Sequence, residues 1–215
     1  MCIRDRFGRL ARLGSDGLPY EVFALVALVP WTYFANGLTQ ASNSLVEQHL
    51  LLTRVYFPRL LLPLAAVIAG LLDLAIAFVL LLVMIGLYGI EIPVRLLAAP
   101  GFVLLAAVAA LAPGVWLAAL NVRYRDVRHA IPFLVQVWLF ATPVAYSSNL
   151  VPERWRPLLA LNPMATVVDG FRWTIAPAAT FPSTGLAISV ATVAVMLVTG
   201  LFYFRRVERS FADVV

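Results

Sequence analysis

From Leu60 to Leu87 the chain runs through 28 residues with a single charge, Asp73. A stretch that apolar and longer than about 20 residues is long enough to cross a bilayer as a helix. Four further apolar runs accompany it: Val22 to Leu38, Leu96 to Leu120, Ala130 to Tyr146 and Gly185 to Phe204. Together they predict an all-α membrane protein with five transmembrane helices. Pro30, Pro132 and Pro143 fall inside or at the ends of these runs, which is tolerable where neighbouring helices satisfy the freed carbonyls. Composition agrees: 62% of the 215 residues are hydrophobic and 13% charged, against about a quarter charged in soluble domains.

Several chemistries are excluded at this point. All sixteen basic residues are arginine, and a phosphate-cradling loop needs a lysine at the β/γ-phosphates, so the chain is not itself a P-loop ATPase. One cysteine, Cys2, and two histidines, His49 and His129, are too few for an internal disulfide or a zinc cluster, and no metal site is expected. The net charge of +5 comes from arginines scattered among short connections instead of forming one basic face, which argues against a nucleic-acid partner.

Those arginines set the orientation instead. Arg54 and Arg59 lie in the connection Gln40 to Arg59, Arg123, Arg125 and Arg128 precede the fourth run, and Arg205, Arg206 and Arg209 follow the fifth. These three segments are expected in the cytoplasm. The loop Ile90 to Arg95 and the segment Ser147 to Thr184 are then expected outside, although the latter carries Arg154, Arg156 and Arg172 beside Glu153 and Asp169.

Four local features bear on function. Ser44-Leu45-Val46-Glu47 matches a capping box, which predicts a short helix that stops before Phe57-Pro58. It would present Glu47, Gln48 and Arg54, suited either to docking on a partner or to resting on lipid headgroups. Asp73 lies at membrane depth, where an acid is either functional or neutral and hydrogen-bonded to another helix. The aromatics Trp31, Tyr33, Phe34, Trp138, Phe140 and Tyr146 read as an interfacial belt or as a stacking surface for sugars. Asn121 to His129 packs charges against the start of a span, as a solvated turn would.

Read in order, these pieces resemble a family. Val29-Pro30-Trp31, Ser42-Asn43-Ser44-Leu45 and Arg54-Val55-Tyr56-Phe57-Pro58-Arg59 are followed by Arg125-Asp126-Val127 and Thr142-Pro143-Val144-Ala145-Tyr146. Then come Val151-Pro152-Glu153, Leu161-Asn162-Pro163-Met164, Asp169-Gly170-Phe171-Arg172 and the tail Phe211 to Val215. From about Gly17 to Val215 the chain is similar to permease subunits of ABC-type polysaccharide and polyol-phosphate exporters.

The resemblance implies a homodimer of permeases in the cytoplasmic (inner) membrane of a bacterium. A separate ABC ATPase subunit would supply ATP and Mg, so that this chain binds no cofactor and is not an enzyme. It implies a glycan or lipid-linked polymer as cargo, moving among membrane lipids. Leu45, Glu47, Gln48, Arg54 and Arg59 would couple to the ATPase, and Arg125 and Asp126 form a cytoplasmic motif. The six aromatics would line the conduit. An outer gate would be built from two re-entrant helices, roughly Pro152 to Leu161 and Met164 to Ala176, carrying Trp155, Asn162, Pro163, Phe171 and Arg172. The family has six spans and an amphipathic helix before the first, whereas five spans are legible here. Residues 1–16 are therefore read as an N-terminal remnant, with Met1 to Arg6 resembling translated sequencing adapter, and residues 17–215 as the permease domain. The alternative is an ABC-type drug or small-lipid exporter. A membrane enzyme would need clustered carboxylates, and an ion-coupled transporter would need more charge at the midplane than Asp73.

Overall fold

The computed structural model describes residues 18–48, 58–91, 93–124, 126–176 and 179–208, and every regular element among them is helical. The α-helices are α1 Tyr20–Glu47, α2 Leu61–Leu87, α3 Ala99–Arg123, α4 Val127–Ala141, α5 Arg156–Ala160, α6 Pro163–Ile175 and α7 Ser183–Glu208. A 3-10 turn, Val94–Ala98, leads into α3. Four segments are long and apolar enough to cross a membrane: α1, α2, α3 with its 3-10 turn, and α7; α4 is a shorter apolar helix. The chain is a multi-pass, all-α membrane protein.

The fourth crossing departs from the sequence expectation. Its run is apolar as far as Tyr146, yet α4 stops at Ala141 after 15 residues. The cause is Thr142-Pro143, because a proline ring excludes the residue before it from helical conformation; Thr142 takes φ −101° and ψ 134°. Fifteen residues rise only about 22 Å, less than the roughly 30 Å hydrocarbon core. The short helices α5 and α6 follow its C-terminal end.

Helix α1 is the hub, packing on α2, α3, α4 and α6, while α3 also carries α6 and α7. Small residues let α1 and α3 approach closely: a Cβ on Gly114 would stand 2.9 Å from that of Ala41, and one on Gly37 3.5 Å from that of Ala110. The main core gathers Phe23, Val26, Phe34, Val67, Ala106 and Phe171. A second cluster, where α1 ends and α2 begins, joins Leu45, Leu62, Val115 and Phe204.

Polar contacts join the ends that alternating crossings require to be neighbours. The Tyr88 hydroxyl donates to Glu21 Oε2 (2.6 Å) where α1 begins and α2 ends. At the opposite side Arg59 Nη1 donates to the Glu208 carbonyl (2.8 Å), where α2 begins and α7 ends. Helix α2 closes at Gly89, whose φ of 67° suits a residue without Cβ. The Ile90 N–H bonds the Ile85 carbonyl and the Gly89 N–H that of Gly86, a Schellman cap.

Candidate functional site

The outer segment forms the helical pair expected from sequence, broken at Asn162-Pro163. A 3-10 turn, Glu153–Trp155, runs into α5, and α6 begins at Pro163. Asn162 is the cap of α6: its Oδ1 accepts from the Met164 N–H at 3.1 Å, and Pro163 at the first helical position loses no needed donor. The same oxygen accepts from Trp138 Nε1 at 2.9 Å. Asn162 Nδ2 donates to Thr142 Oγ1 at 2.9 Å and to the Ala141 carbonyl at 3.3 Å. One amide thus starts α6 and fastens it to the C-terminal end of α4.

Arg172 performs a second fastening from within. Only 1% exposed, it donates through Nη2 to the Val144 carbonyl (2.9 Å) and through Nη1 to that of Tyr146 (3.0 Å). Its guanidinium lies 3.8 Å from the Phe23 ring centroid, and Nη1 stands 3.9 Å from Asp169 Oδ1. Phe171 is fully buried and edge-on to Phe78, and Pro163 is buried too. Trp155, by contrast, is half exposed, with the Arg154 guanidinium over its ring.

The aromatic conduit expected from sequence is not what the first helix presents. Trp31 and Tyr33 are 4% exposed and Phe34 0%, so none offers a face to a passing molecule. They are packing residues: the Tyr33 hydroxyl donates to the Val67 carbonyl of α2, and Phe34 stacks between Trp31 and the edge of Trp138. Trp138 is partly buried by the same contact. Of the six, Phe140 is 75% exposed on α4, and Tyr146 lies half-buried beyond its end.

From Thr32 onward the exposed face of α1 is polar, which the sequence reading missed. Thr32, Asn36, Gln40 and Glu47 are exposed and Thr39 and Asn43 partly so, a spacing that places them along one helix face. A hydrocarbon core takes up about 20 residues of a helix, so any placement within the 28 residues of α1 leaves Thr32 and Asn36 inside it. The same reasoning over the 27 residues of α2 keeps Asp73 inside. Asp73 is exposed and lines, with Thr32, Asn36 and Gly70, a small groove of about 40 Å³ between the two helices. The structural reading of Asp73 as bonded to another helix is therefore corrected: among the described residues it makes no hydrogen bond. Thr32 and Thr39 satisfy themselves on carbonyls one turn back. Asn36 and Gln40 have no such partner among the described residues. Amides in lipid cost several kcal/mol (order of magnitude) unless they meet water or protein. This face is built to meet one of them.

At the inner end the expected capping box is absent. Ser44 is no cap: its hydroxyl donates back to the Ala41 carbonyl at 2.7 Å, inside α1. Helix α1 runs on to Glu47 because Leu45 packs into the inner core, 1% exposed. Leu45 is thus a core residue and not a docking contact. Glu47 and Gln48 are exposed at the helix end, and Arg59 bonds α7 as above. Arg54, Arg125 and the tail lie outside the described residues; Asp126 is exposed in the turn between α3 and α4.

The sequence profile of the ABC-2 type transporters matches residues 5–176. The chain belongs to that family. Its similarity extends to individual ABC-2 proteins: it is 32% identical over 194 residues to the O-antigen export system permease protein RfbA of Myxococcus xanthus, covering 88% of this chain and 74% of that one. It is 22% identical over 196 residues to the protein of the same name from Klebsiella pneumoniae, covering 91% of this chain and 75% of that one.

Proposed function

We propose that this chain is the membrane-spanning subunit of an ATP-driven exporter that carries a lipid-linked polysaccharide or polyol-phosphate polymer across the cytoplasmic membrane. Two copies would surround the path, and a separate ABC ATPase would supply the energy. Family membership and the O-antigen export names of the relatives support the class of cargo. The observation that carries the transport role is the exposed polar face of α1, with Thr32 and Asn36 at membrane depth beside Asp73. A lipid-facing helix has no use for it, whereas a hydrated conduit between two copies does.

In this reading hydroxyls and amides offer a sliding glycan interchangeable hydrogen bonds, and binding stays weak enough for movement. The exposed apolar face of α4, with Phe133, Val137 and Phe140, faces the second copy. ATP-driven closure of the partner acts through the connection between Glu47 and Arg59 and shifts α1 and α2, which works only if the partner contacts the two states differently. The buried amide of Asn121, bonded to the Ser42 carbonyl (3.1 Å) and Asn43 Oδ1 (3.0 Å), makes α3 follow α1.

Deletion of the gene, followed by fractionation of surface and cytoplasmic polysaccharide, tests the reading. Loss of polymer from the surface with accumulation inside, restored by the gene together with that of its partner ATPase, is expected. Unchanged surface polymer would overturn it, and altered sensitivity to drugs alone would favour a small-molecule exporter.

A further inference from the structure

Between the outer helices and the start of α7 lies a pocket of about 390 Å³, separate from the polar face of α1. Small-molecule sites start at about 300 Å³, so its size suits a short oligosaccharide and not a folded chain. Its lining comes from five places in the sequence: the loop after α4, α5, α6, the connection 179–182 and the first turns of α7. The polar part sets the hydroxyls of Ser148, Thr166, Thr180 and Thr184 around the charged groups Asp169, Arg156 and Arg172, and Phe181 and Ile188 supply apolar walls.

These groups are held in place. The Ser148 hydroxyl donates to Asp169 Oδ1 at 2.7 Å. Ser189, fully buried on α7, lies 2.7 Å from Thr166 Oγ1 and 2.8 Å from the Ala160 carbonyl. A hydroxyl has one proton, so donation to Ala160 makes Thr166 the donor to Ser189 and turns the Thr166 lone pairs toward the pocket. Gly185 makes this approach possible, since a Cβ there would stand 3.1 Å from Thr166 Oγ1.

We propose that this pocket is an exit site holding a short, uncharged, hydroxyl-rich saccharide segment of the exported polymer. The proposal rests on the reading of the cargo as polysaccharide. A carboxylate set among hydroxyls accepts from vicinal sugar hydroxyls, and Phe181, 45% exposed and braced edge-on by Trp173 at 4.9 Å, offers its face to the C–H side of a sugar ring. A phosphate headgroup fits less well. Asp169 would repel it, and the buried Arg172 already directs Nη1 and Nη2 to the Tyr146 and Val144 carbonyls; Arg156, which also lines the pocket and is exposed, is the cation a phosphate would meet, and the inorganic phosphate probe below tests that contact. An acyl chain would leave the hydroxyl lining without partners. Occupancy would brace α5 and α6 against α7 while polymer leaves.

The test uses the complex of the full chain with its ATPase in nanodiscs, Cys2 replaced by serine and Thr184→Cys introduced at the exposed mouth. The readout is the rate of maleimide labelling with three probes: neutral oligosaccharide released from the host's own surface polymer, short-chain phosphatidylglycerol, and inorganic phosphate. With oligosaccharide at about ten times its Kd, labelling slows about tenfold; the other two leave it unchanged. Asp169→Asn removes the protection. Thr180→Trp, which adds bulk to the lining, removes it as well, and gel filtration checks that this variant stays folded. Protection by the phospholipid or phosphate alone makes the pocket a headgroup site and overturns the proposal, as does no protection by any probe. Surface polymer in the deletion strain is scored separately, so an exporter without a saccharide exit site is distinguished from a chain that exports no polysaccharide.

Discussion

The Trp138 indole N–H reaches Asn162 Oδ1 across 2.9 Å, and the same oxygen caps α6. The bond spans the point where α4 gives out, so the short fourth crossing and the outer helices form one unit. Removing it by Asn162→Ala forfeits the cap, worth about 1 kcal/mol, and leaves the indole N–H without its partner, about 1–3 kcal/mol more. A fall in melting temperature of the purified protein is expected. Trp138→Phe, which keeps the ring against Phe34, should have the smaller effect. Equal stability of Asn162→Ala and wild type would refute the linkage.

Arg172 makes a sharper prediction, because its fork meets two carbonyls while its plane covers Phe23. A lysine carries the same charge but cannot span both carbonyls or stack in that way. Arg172→Lys should therefore destabilise by about 2 kcal/mol, and Arg172→Ala by about 3 kcal/mol or more. Asp169→Asn should cost less, since its oxygen stands 3.9 Å from the guanidinium. Denaturant unfolding in detergent orders the three; a lysine variant as stable as wild type would show that charge alone matters.

Much of this architecture was legible in the chain itself. Four long runs became long helices, and Asn162-Pro163 marked the break between α5 and α6, because hydropathy and proline chemistry are local. What failed depended on neighbours. Ser44 and Glu47 have capping-box spacing, but Leu45 finds a core at the inner end and keeps α1 helical through them. Trp31, Tyr33 and Phe34 carry the composition of a sugar path, yet which side of a helix faces outward is set by packing on α2 and α4. The overlooked signal was the four-residue spacing of Thr32, Asn36 and Gln40.

Gly170 on α6 tests the packing of the outer unit. A Cβ at this position would run into the Phe102 ring of α3, so Gly170→Ala forces that ring or the helix to move. Overpacking of this kind costs about 1–3 kcal/mol. Phe102→Leu removes ring atoms from the collision, and the double variant should recover stability relative to the sum of the single changes. Thermal unfolding of the four proteins gives the coupling; strict additivity would mean the two residues do not meet.

The polar face of α1 separates stability from transport. Asn36→Leu and Gln40→Leu delete exposed amides that have no partner among the described residues, so neither should lower the melting temperature, and both should reduce surface polymer several-fold by drying the path. The mirror change, Leu72→Asn on the apolar exposed face of α2, puts an amide into lipid and should lower stability, by at most a few kcal/mol. Cysteines at the same three positions supply the physical check. A membrane-impermeant maleimide should label those at 36 and 40 in cells but not the one at 72, since thiols react as thiolates and thiolates form in water. Equal labelling at all three positions would mean that α1 faces the same medium as α2 and that no hydrated path runs along it.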